Sequence, residues 1–284
     1  MTSSASGADP SLKSGDASIP ARGFGTWRLR DDGCRAAVKA ALDVGYRHID
    51  TAAMYGNEVE VGEAIRRSDV ARDDIFLTTK VWTDDIEEEA LLKSAQASLD
   101  RLKLDHVDLL LIHWPNRNIP LQSSISGLCR ARQQGLASHV GIANFPTSLL
   151  KDAIKFAADR GERIVANQCE YHPWLDQSRL IAACRSSGVV FTSYSPLGRG
   201  DLVTDPVVQL LARELLRTPS QILLRWHLQQ GVAAIPRSST PAHIAENFDI
   251  MDFELSPEDM ARLSSLGKVD GRLVDPDFAP DWDR

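Results

Sequence analysis

Three short apolar segments in the first half of the chain each end in one polar, titratable side chain. In chain order these side chains are Asp50, Lys80 and His113, and Tyr55 stands in the loop that follows Asp50. If the segments are parallel strands of a barrel with helices between them, their C-terminal ends converge on the mouth of that barrel. The spacing therefore predicts that the four side chains meet at one site.

Together these side chains suit the reduction of a carbonyl group. A tyrosine has a pKa near 10 and is a poor proton donor at neutral pH, but an adjacent ammonium group stabilises its phenolate. Lys80 could supply that charge to Tyr55, and Asp50 could hold the lysine in place and keep it protonated. A neutral His113 could donate a hydrogen bond to the carbonyl oxygen of a substrate. The hydride must then come from a cofactor.

Polar residues at the ends of later segments suit a dinucleotide. Asn144 and Gln168 each carry a carboxamide that can donate to and accept from an amide such as that of nicotinamide, and Tyr194 offers an aromatic face for stacking. The loop 195–200 offers backbone N–H donors. Arg237 precedes three hydroxyl residues and a helix start. That combination suits a phosphate, because a guanidinium can bind two oxygens and a helix N-terminus favours an anion.

Alternating strands and helices must position these residues. Strand character recurs at residues 22–25, 47–50, 75–79, 107–112, 139–143, 164–167, 189–193 and 232–235. Helical segments separate these runs, which predicts a (β/α)8 TIM barrel of the α/β class. We expect an N-terminal β-hairpin over residues 12–20, an extra C-terminal helix over 256–266 and an irregular tail over 267–284. A dinucleotide-binding doubly wound sheet fits less well, because the segment 23–28 lacks the third glycine of its Gly-x-Gly-x-x-Gly turn.

Length and composition limit the classes of protein. The 284 residues are close to the about 250 typical of this barrel, and a hydrophobic content of 43% supplies a large core. We expect residues 1–10 to be disordered and residues 11–284 to form a single domain. The net charge of −7 disfavours nucleic acid and anionic membrane as partners. No apolar run reaches the length of a membrane helix.

Cysteine and histidine usage favours a cytoplasmic protein without a bound metal. The chain has four cysteines without paired spacing, which we interpret as reduced thiols. The histidines lack the spacing of metal ligands.

Several stretches of the chain resemble the signatures of the aldo-keto reductase family, in order and across nearly its whole length. They are residues 45–58, 79–82, 109–115, 141–145, 167–168, 192–198 and 235–247. The compact loops and the ending 270–282 most resemble the bacterial 2,5-diketo-D-gluconate reductases of the B type. The resemblance implies a catalytic tetrad of Asp50, Tyr55, Lys80 and His113, with Tyr55 as the proton donor.

The resemblance also implies that the cofactor is NADPH. Nicotinamide would stack on Tyr194 with its amide held by Asn144 and Gln168. The pyrophosphate would lie along Ser195, Leu197 and Gly198. The residues that the resemblance assigns to the cofactor are Thr26, Trp27, Asn144, Gln168, Tyr194, Ser195, Leu197, Gly198, Ile235, Arg237, Ser238, Ser239, His243, Glu246 and Asn247. In this set the 2′-phosphate would meet Arg237 and the two serines after it, and the adenine would face Glu246 and Asn247.

The sequence departs from the family pattern at two positions near the cofactor. Ala143 replaces the serine that usually precedes the asparagine, which removes one hydrogen bond to the nicotinamide amide. His243 stands where many members carry an arginine beside the adenosine phosphate, so the hold on NADPH weakens when the imidazole is neutral. Arg237, where many members have lysine, could compensate, and we favour NADPH over NADH.

Aromatic residues near three strand ends could form the substrate pocket. Trp27, Trp82 and Trp114 each follow a strand end and could wall an apolar substrate pocket, and the tail could act as a lid. We expect a monomeric reductase of a small carbonyl of the 2,5-diketo-D-gluconate or methylglyoxal type. The alternatives are a reductase, or a dehydrogenase in reverse, of a bulkier steroid-like or toxin-derived ketone, and a non-catalytic nucleotide-sensing barrel.

Overall fold

The computed structural model describes residues 10–283 of the chain. The expected disorder of residues 1–10 thus concerns residues that lie outside this range, apart from Pro10.

Eight parallel strands form one sheet that curves into a barrel. Each strand pairs with the next along the chain, in the order β3-β4-β5-β6-β7-β8-β9-β10. These strands are β3 (Gly23–Gly25), β4 (His48–Asp50), β5 (Phe76–Val81), β6 (Val107–Ile112), β7 (Ala137–Ala143), β8 (Ile164–Glu170), β9 (Val190–Tyr194) and β10 (Ala233–Ala234). A bridge between Arg22 and Ala234 joins the last strand to the first, and the Gly25 N–H donates to the Pro236 carbonyl at 2.9 Å. The predicted (β/α)8 barrel is confirmed.

Helices surround the barrel and connect its strands. They are α1 (Asp31–Val44), α2 (Glu58–Arg66), α3 (Glu88–Leu102), α4 (Leu121–Gln133), α5 (Thr147–Ala158), α6 (Ser178–Ser186), α7 (Pro206–Glu214), α8 (Pro219–Gln229), α9 (Pro241–Phe248) and α10 (Pro257–Ser264). The last of these is the predicted extra helix. Its capping residue Ser256 accepts a hydrogen bond from the Asp259 N–H, and Pro257 occupies the first helical position.

The predicted N-terminal hairpin is present, and it closes the N-terminal end of the barrel. Its strands are β1 (Ser11–Ser14) and β2 (Ala17–Pro20). Ile19 is fully buried and packs with Leu109 and Leu111 inside the barrel. The hairpin therefore seals the barrel interior at the end opposite the candidate site.

The strand β6 shows why a central strand reads as a continuous apolar run. Leu109 and Leu111 point into the barrel, whereas Leu110 and Ile112 pack in the layer between the strands and the helices. Successive side chains of a strand face opposite sides, so both faces are apolar when both are buried.

The strand ends differ from the predicted ones at β5 and β8. Lys80 lies within β5 instead of after it, and β8 continues to Glu170 instead of ending at residue 167. The polar residues at these ends concealed the strands, because polarity normally marks a loop. Here their side chains are buried and hydrogen-bonded: Lys80 contacts Asp50, and Gln168 does so too.

Candidate active site

Lys80 lies at the centre of the predicted tetrad. Its ammonium nitrogen Nζ donates to Asp50 Oδ1 at 2.5 Å, to the Thr51 carbonyl at 2.9 Å and to Tyr55 Oη at 3.2 Å. An ammonium group has three N–H donors, and these contacts use all three. Lys80 is fully buried and Asp50 nearly so, and a buried charge is tolerated only when it is paired in this way.

Neighbouring strands bring these groups together. Asp50 is the last residue of β4, which pairs in parallel with β5, and Lys80 lies two residues beyond the Thr78 that is opposite Asp50. Tyr55 ends the short 3-10 turn Ala53–Tyr55, and Gly56 then adopts φ +62°. Glycine takes this left-handed conformation without strain, so the turn can reverse directly after Tyr55.

A buried asparagine supports the loop that carries Tyr55. The side chain of Asn57 donates to the carbonyls of Thr26 and Leu29, at 2.8 and 3.1 Å, and accepts from the hydroxyl of Thr51 at 2.8 Å. It thereby ties the loop after β3 to the loop after β4. The sequence analysis did not identify Asn57 as a site residue.

Burial sets the protonation states of the tyrosine and the histidine. Burial raises the pKa of Tyr55 above its ordinary value, and it outweighs the opposing effect of the Lys80 ammonium. The lysine therefore acts on the phenol as expected, but the net shift is upward and the group stays protonated. Burial and then the positive charge of Lys80 hold the pKa of His113 well below its usual value, so the imidazole is neutral, as predicted.

The pKa of Lys80 itself is raised. Burial lowers this pKa, but the Asp50 carboxylate and Tyr55 together outweigh burial and keep the ammonium protonated. Since this ammonium donates to the phenol oxygen, the hydrogen of the Tyr55 hydroxyl is available to an acceptor in the cavity.

A cavity of about 360 Å³ opens beside Tyr55 and His113. The rings of these two residues meet edge to face, with centroids 5.7 Å apart. The predicted site residues that line the cavity are Trp27, Asp50, Tyr55, His113, Trp114, Asn144, Gln168, Tyr194, Ser195, Leu197, Ile235 and Arg237. Lys80 lies behind this wall and reaches the cavity through Tyr55.

Other predicted residues do not line the cavity. The Thr26 hydroxyl is buried and donates to the Asp50 carbonyl at 3.0 Å, and the ring of Trp82 packs against that of His113 with centroids 5.2 Å apart. Gly198 is buried in the loop after β9. The remaining predicted cofactor residues follow β10 or belong to α9, namely Ser238, Ser239, His243, Glu246 and Asn247.

The five residues that follow β10 or belong to α9 differ in their hydrogen bonds and in their exposure. Ser238 accepts from the Thr240 N–H at 3.1 Å, and Glu246 accepts from the Thr218 hydroxyl at 2.6 Å. Asn247 is buried, and its Oδ1 has no hydrogen-bond partner among residues 10–283. Ser239 and His243 are exposed.

The polar groups in the cavity have the capacity to hold a carboxamide. Asn144 Nδ2 donates to the His113 carbonyl at 2.9 Å and its Oδ1 accepts from Tyr194 Oη at 2.8 Å, which leaves one N–H of the amide. Gln168 Nε2 donates to Asp50 Oδ2 at 2.7 Å, which orients its carbonyl oxygen as an acceptor. One donor and one acceptor are what a carboxamide requires, so these residues fit the implied nicotinamide.

Arg28 and Arg199 line the cavity mouth together with Arg237. Neither of the two was predicted as a site residue. The guanidinium carbons of Arg28 and Arg199 lie 4.3 and 5.5 Å from the ring centroid of Trp27, and Arg237 Nε donates to the Trp27 carbonyl at 3.2 Å. The mouth is therefore positive in a chain of net negative charge, which suits an anionic ligand. Their position in loops directly after strands was the signal that could have identified them.

The C-terminal tail supplies residues that periodicity could not reveal. Val274 lines the cavity, and the ring of Phe278 packs edge-on against Trp82 and Trp114, with centroids 5.9 and 5.7 Å away. The two tryptophans and Phe278 thus form one aromatic cluster beside His113.

Residues 10–283 hold no group of three His, Cys, Asp or Glu side chains arranged for a metal ion. None of the helices within that range has the length and apolarity needed to cross a membrane.

Comparison with known proteins agrees with this geometry. The model of the Aldo/keto reductase family matches residues 22–268. An aldo-keto reductase of Mycolicibacterium smegmatis is 42% identical over 92% of this chain and 93% of its own length. The methylglyoxal reductase DkgB of Yersinia pestis is 40% identical over 94% of this chain and 100% of its own length.

Solved structures show the same similarity. A protein assigned as a 2,5-diketo-D-gluconic acid reductase B superposes with a TM-score of 0.92 at 41% identity, covering 96% of this chain and 97% of its own. An aldo/keto reductase from Brucella melitensis gives a TM-score of 0.85 at 40% identity, covering 91% of this chain and 100% of its own. The fold, the family model and these relatives agree, and the chain belongs to the aldo/keto reductase family.

Proposed function

We propose that this chain is an NADPH-dependent carbonyl reductase in which Tyr55 donates the proton to the substrate oxygen. The observation that carries the proposal is the contact of 3.2 Å between Lys80 Nζ and Tyr55 Oη, at the wall of a cavity that also exposes His113. This arrangement leaves a protonated phenol and a neutral imidazole facing the same space. Both can donate a hydrogen bond to one carbonyl oxygen.

The roles of the four side chains follow from their contacts. Tyr55 transfers its proton as negative charge develops on the carbonyl oxygen, and the Lys80 ammonium stabilises the phenolate that remains. Asp50 keeps Lys80 protonated and in place. His113 orients the carbonyl and shares in stabilising its charge.

The chain's residues would hold NADPH along the cavity and beyond its mouth. Asn144 and Gln168 would hold the carboxamide, and Tyr194 would contact the ring face. Arg237, at the exposed mouth, would bind the 2′-phosphate in front of α9, and the loop after β9 would meet the pyrophosphate. When bound, the nicotinamide supplies the hydride.

We propose a small carbonyl as substrate, of the methylglyoxal or 2,5-diketo-D-gluconate type. The names of relatives that align over almost their whole length support this choice. A second candidate is a bulkier ketone. The apolar wall of Trp27, Trp114 and Val274, together with the half-exposed Met54 at the rim, favours that alternative.

The proposal includes a monomer that acts in the cytoplasm. All four cysteines are buried free thiols, which suits a reducing compartment.

A substrate panel tests the proposal. Purified protein is given NADPH with methylglyoxal, 2,5-diketo-D-gluconate or an aromatic ketone, and both NADPH consumption and the alcohol product are measured. We expect turnover with at least one carbonyl, faster with NADPH than with NADH, and the best substrate decides between the small and bulky classes. Cofactor binding without turnover of any carbonyl would favour a nucleotide-sensing barrel and contradict the proposal.

A further inference from the structure

The C-terminal tail, residues 267–283, forms part of the wall of the cavity. Val274 lines the cavity, and Phe278 packs between the rings of Trp82 and Trp114. This described part of the tail contains no helix or strand. Irregular backbone lacks an internal ladder of hydrogen bonds, so contacts with the barrel must fix its position.

The deepest of these contacts is made by Glu170, the last residue of β8. Its carboxylate is fully buried. Oε1 accepts a hydrogen bond from the Leu273 N–H at 2.8 Å, and Oε2 accepts one from the Val274 N–H at 2.9 Å. His172 Nε2 lies 2.9 Å from Oε1 and can donate a third. One carboxylate thus holds two successive amides of the tail.

The burial of this carboxylate is explained by the tail. A buried carboxylate costs free energy unless hydrogen bonds replace its water. Among residues 10–283, no lysine or arginine forms an ion pair with Glu170. Glu170 is not one of the residues that line the cavity. Its side chain therefore does not contact the reacting groups, and its contacts lead to the tail instead.

A second contact holds the far end of the tail. The carboxylate of Asp283 accepts from the N–H and the hydroxyl of Thr147, at 2.9 and 2.7 Å, at the start of α5. The segment between the two anchors carries both Val274 and Phe278. Asp281 lies in the same segment and forms an exposed ion pair with Arg117 of the loop after β6, and exposed ion pairs contribute little.

We propose that Glu170 is a positioning residue that sets substrate affinity by holding the tail against the barrel mouth. Through the Leu273 and Val274 amides it places Val274 in the apolar wall of the cavity and keeps Phe278 packed against Trp114, which lines the same wall. The inference rests on the proposed carbonyl reductase function. It assigns to Glu170 no contact with cofactor or substrate.

The test compares Glu170→Gln with Asp281→Asn as a matched control in the tail. Glutamine keeps one acceptor oxygen but presents an NH2 group to the second amide, so one charge-assisted hydrogen bond is lost. We expect Glu170→Gln to raise the KM for the carbonyl substrate about tenfold, while kcat and the Kd for NADPH stay within about twofold. Asp281→Asn should leave all three values within about twofold.

Hydrogen exchange and truncation make the test specific to the tail. The amides of Leu273 and Val274 should be protected in the wild type and exchange faster in Glu170→Gln. A chain ending at residue 272 should show the same rise in KM, and Glu170→Gln should add nothing further in that background. If Glu170→Gln does not fold, Glu170→Asp, whose shorter side chain cannot reach both amides, takes its place in the same KM and exchange measurements.

The outcomes separate this proposal from the proposed function. Unchanged KM and unchanged exchange in Glu170→Gln, or a KM effect that persists in the truncated chain, would overturn the role of Glu170 while carbonyl reduction stands. A wild type without carbonyl turnover would remove the function. In that case the exchange data would still test the contact between Glu170 and the tail. Leu273 and Val274 amides that are protected in the wild type and lose protection in Glu170→Gln would support this contact, and amides that are unprotected in the wild type would reject it.

Discussion

The side-chain amide of Gln168 donates to Asp50 Oδ2 at 2.7 Å, while Lys80 binds the other oxygen of the same carboxylate. Gln168 therefore contacts the tetrad with its nitrogen and faces the proposed cofactor with its oxygen. This relationship fixes which end of the amide faces the cavity. It also makes the geometry of Asp50 depend on a residue from the opposite side of the barrel mouth.

The first prediction concerns this contact. Gln168→Glu places two carboxylates in hydrogen-bond contact, so the pKa of one of them rises strongly. We expect kcat/KM to fall at least about tenfold at neutral pH and to recover in part as the pH is lowered, because a protonated glutamate can donate to Asp50 again. The measurement is kcat/KM against pH. Gln96→Glu, on the exposed face of α3, is the control, and an equal pH dependence in both variants would contradict the prediction.

Lys80→Met should lower both stability and activity, for different reasons. The variant leaves the Asp50 carboxylate buried without its cation, which costs about 3–5 kcal/mol of unfolding free energy. It also removes the charge that stabilises the phenolate, so kcat should fall at least about 100-fold. Denaturant unfolding and initial rates measure the two effects. The double variant Asp50→Asn with Lys80→Met should regain most of the stability and none of the activity; recovered activity would refute the role of the ammonium.

The pH profile of the wild type follows from two shifted pKa values. The phenol of Tyr55 has a pKa raised above 10.0, so it loses its proton only at more alkaline pH. The imidazole of His113 has a pKa well below 6.5, so it gains a proton only at more acidic pH. We therefore expect neither group to titrate between pH 6.5 and pH 10.0, so that neither changes kcat/KM for the carbonyl between these two pH values. A titration between them that Tyr55→Phe or His113→Asn abolishes would contradict the assignment.

Arg237 should discriminate between the two nicotinamide dinucleotides. Its guanidinium lies at the exposed mouth, and loss of a bidentate contact to a phosphate weakens binding by about tenfold or more. Arg237→Ala should raise the Kd for NADPH by that factor and leave the Kd for NADH within about twofold. Isothermal titration with both cofactors measures this, and an equal effect on both would show that Arg237 does not bind the 2′-phosphate.

The sequence predicted the fold and the meeting of the tetrad because both follow from periodic patterns. Strand ends in a parallel barrel converge by geometry, so Asp50, Lys80 and His113 could be placed together without coordinates. The upward shift of the Tyr55 pKa could not be predicted, because it depends on how completely the phenol is buried. The spacing supplied the neighbouring ammonium but not the burial.

The contacts between the tail and the end of β8 could not be predicted from sequence patterns. The predicted strand ended at residue 167, so Glu170 fell outside it, and its hydrogen-bond partners Leu273 and Val274 lie 103 and 104 residues away in the sequence. Irregular segments carry no period that reveals which face is buried. Phe278 was missed for the same reason.

The most direct test of the central claim is carbonyl reduction by Tyr55→Phe. Phenylalanine retains the ring that packs against His113 and lacks only the hydroxyl that Lys80 contacts. The account predicts that carbonyl-dependent NADPH oxidation falls at least about 1,000-fold while the Kd for NADPH stays within about twofold. Turnover within about tenfold of the wild type, with the cofactor still bound, would show that the proton comes from another group.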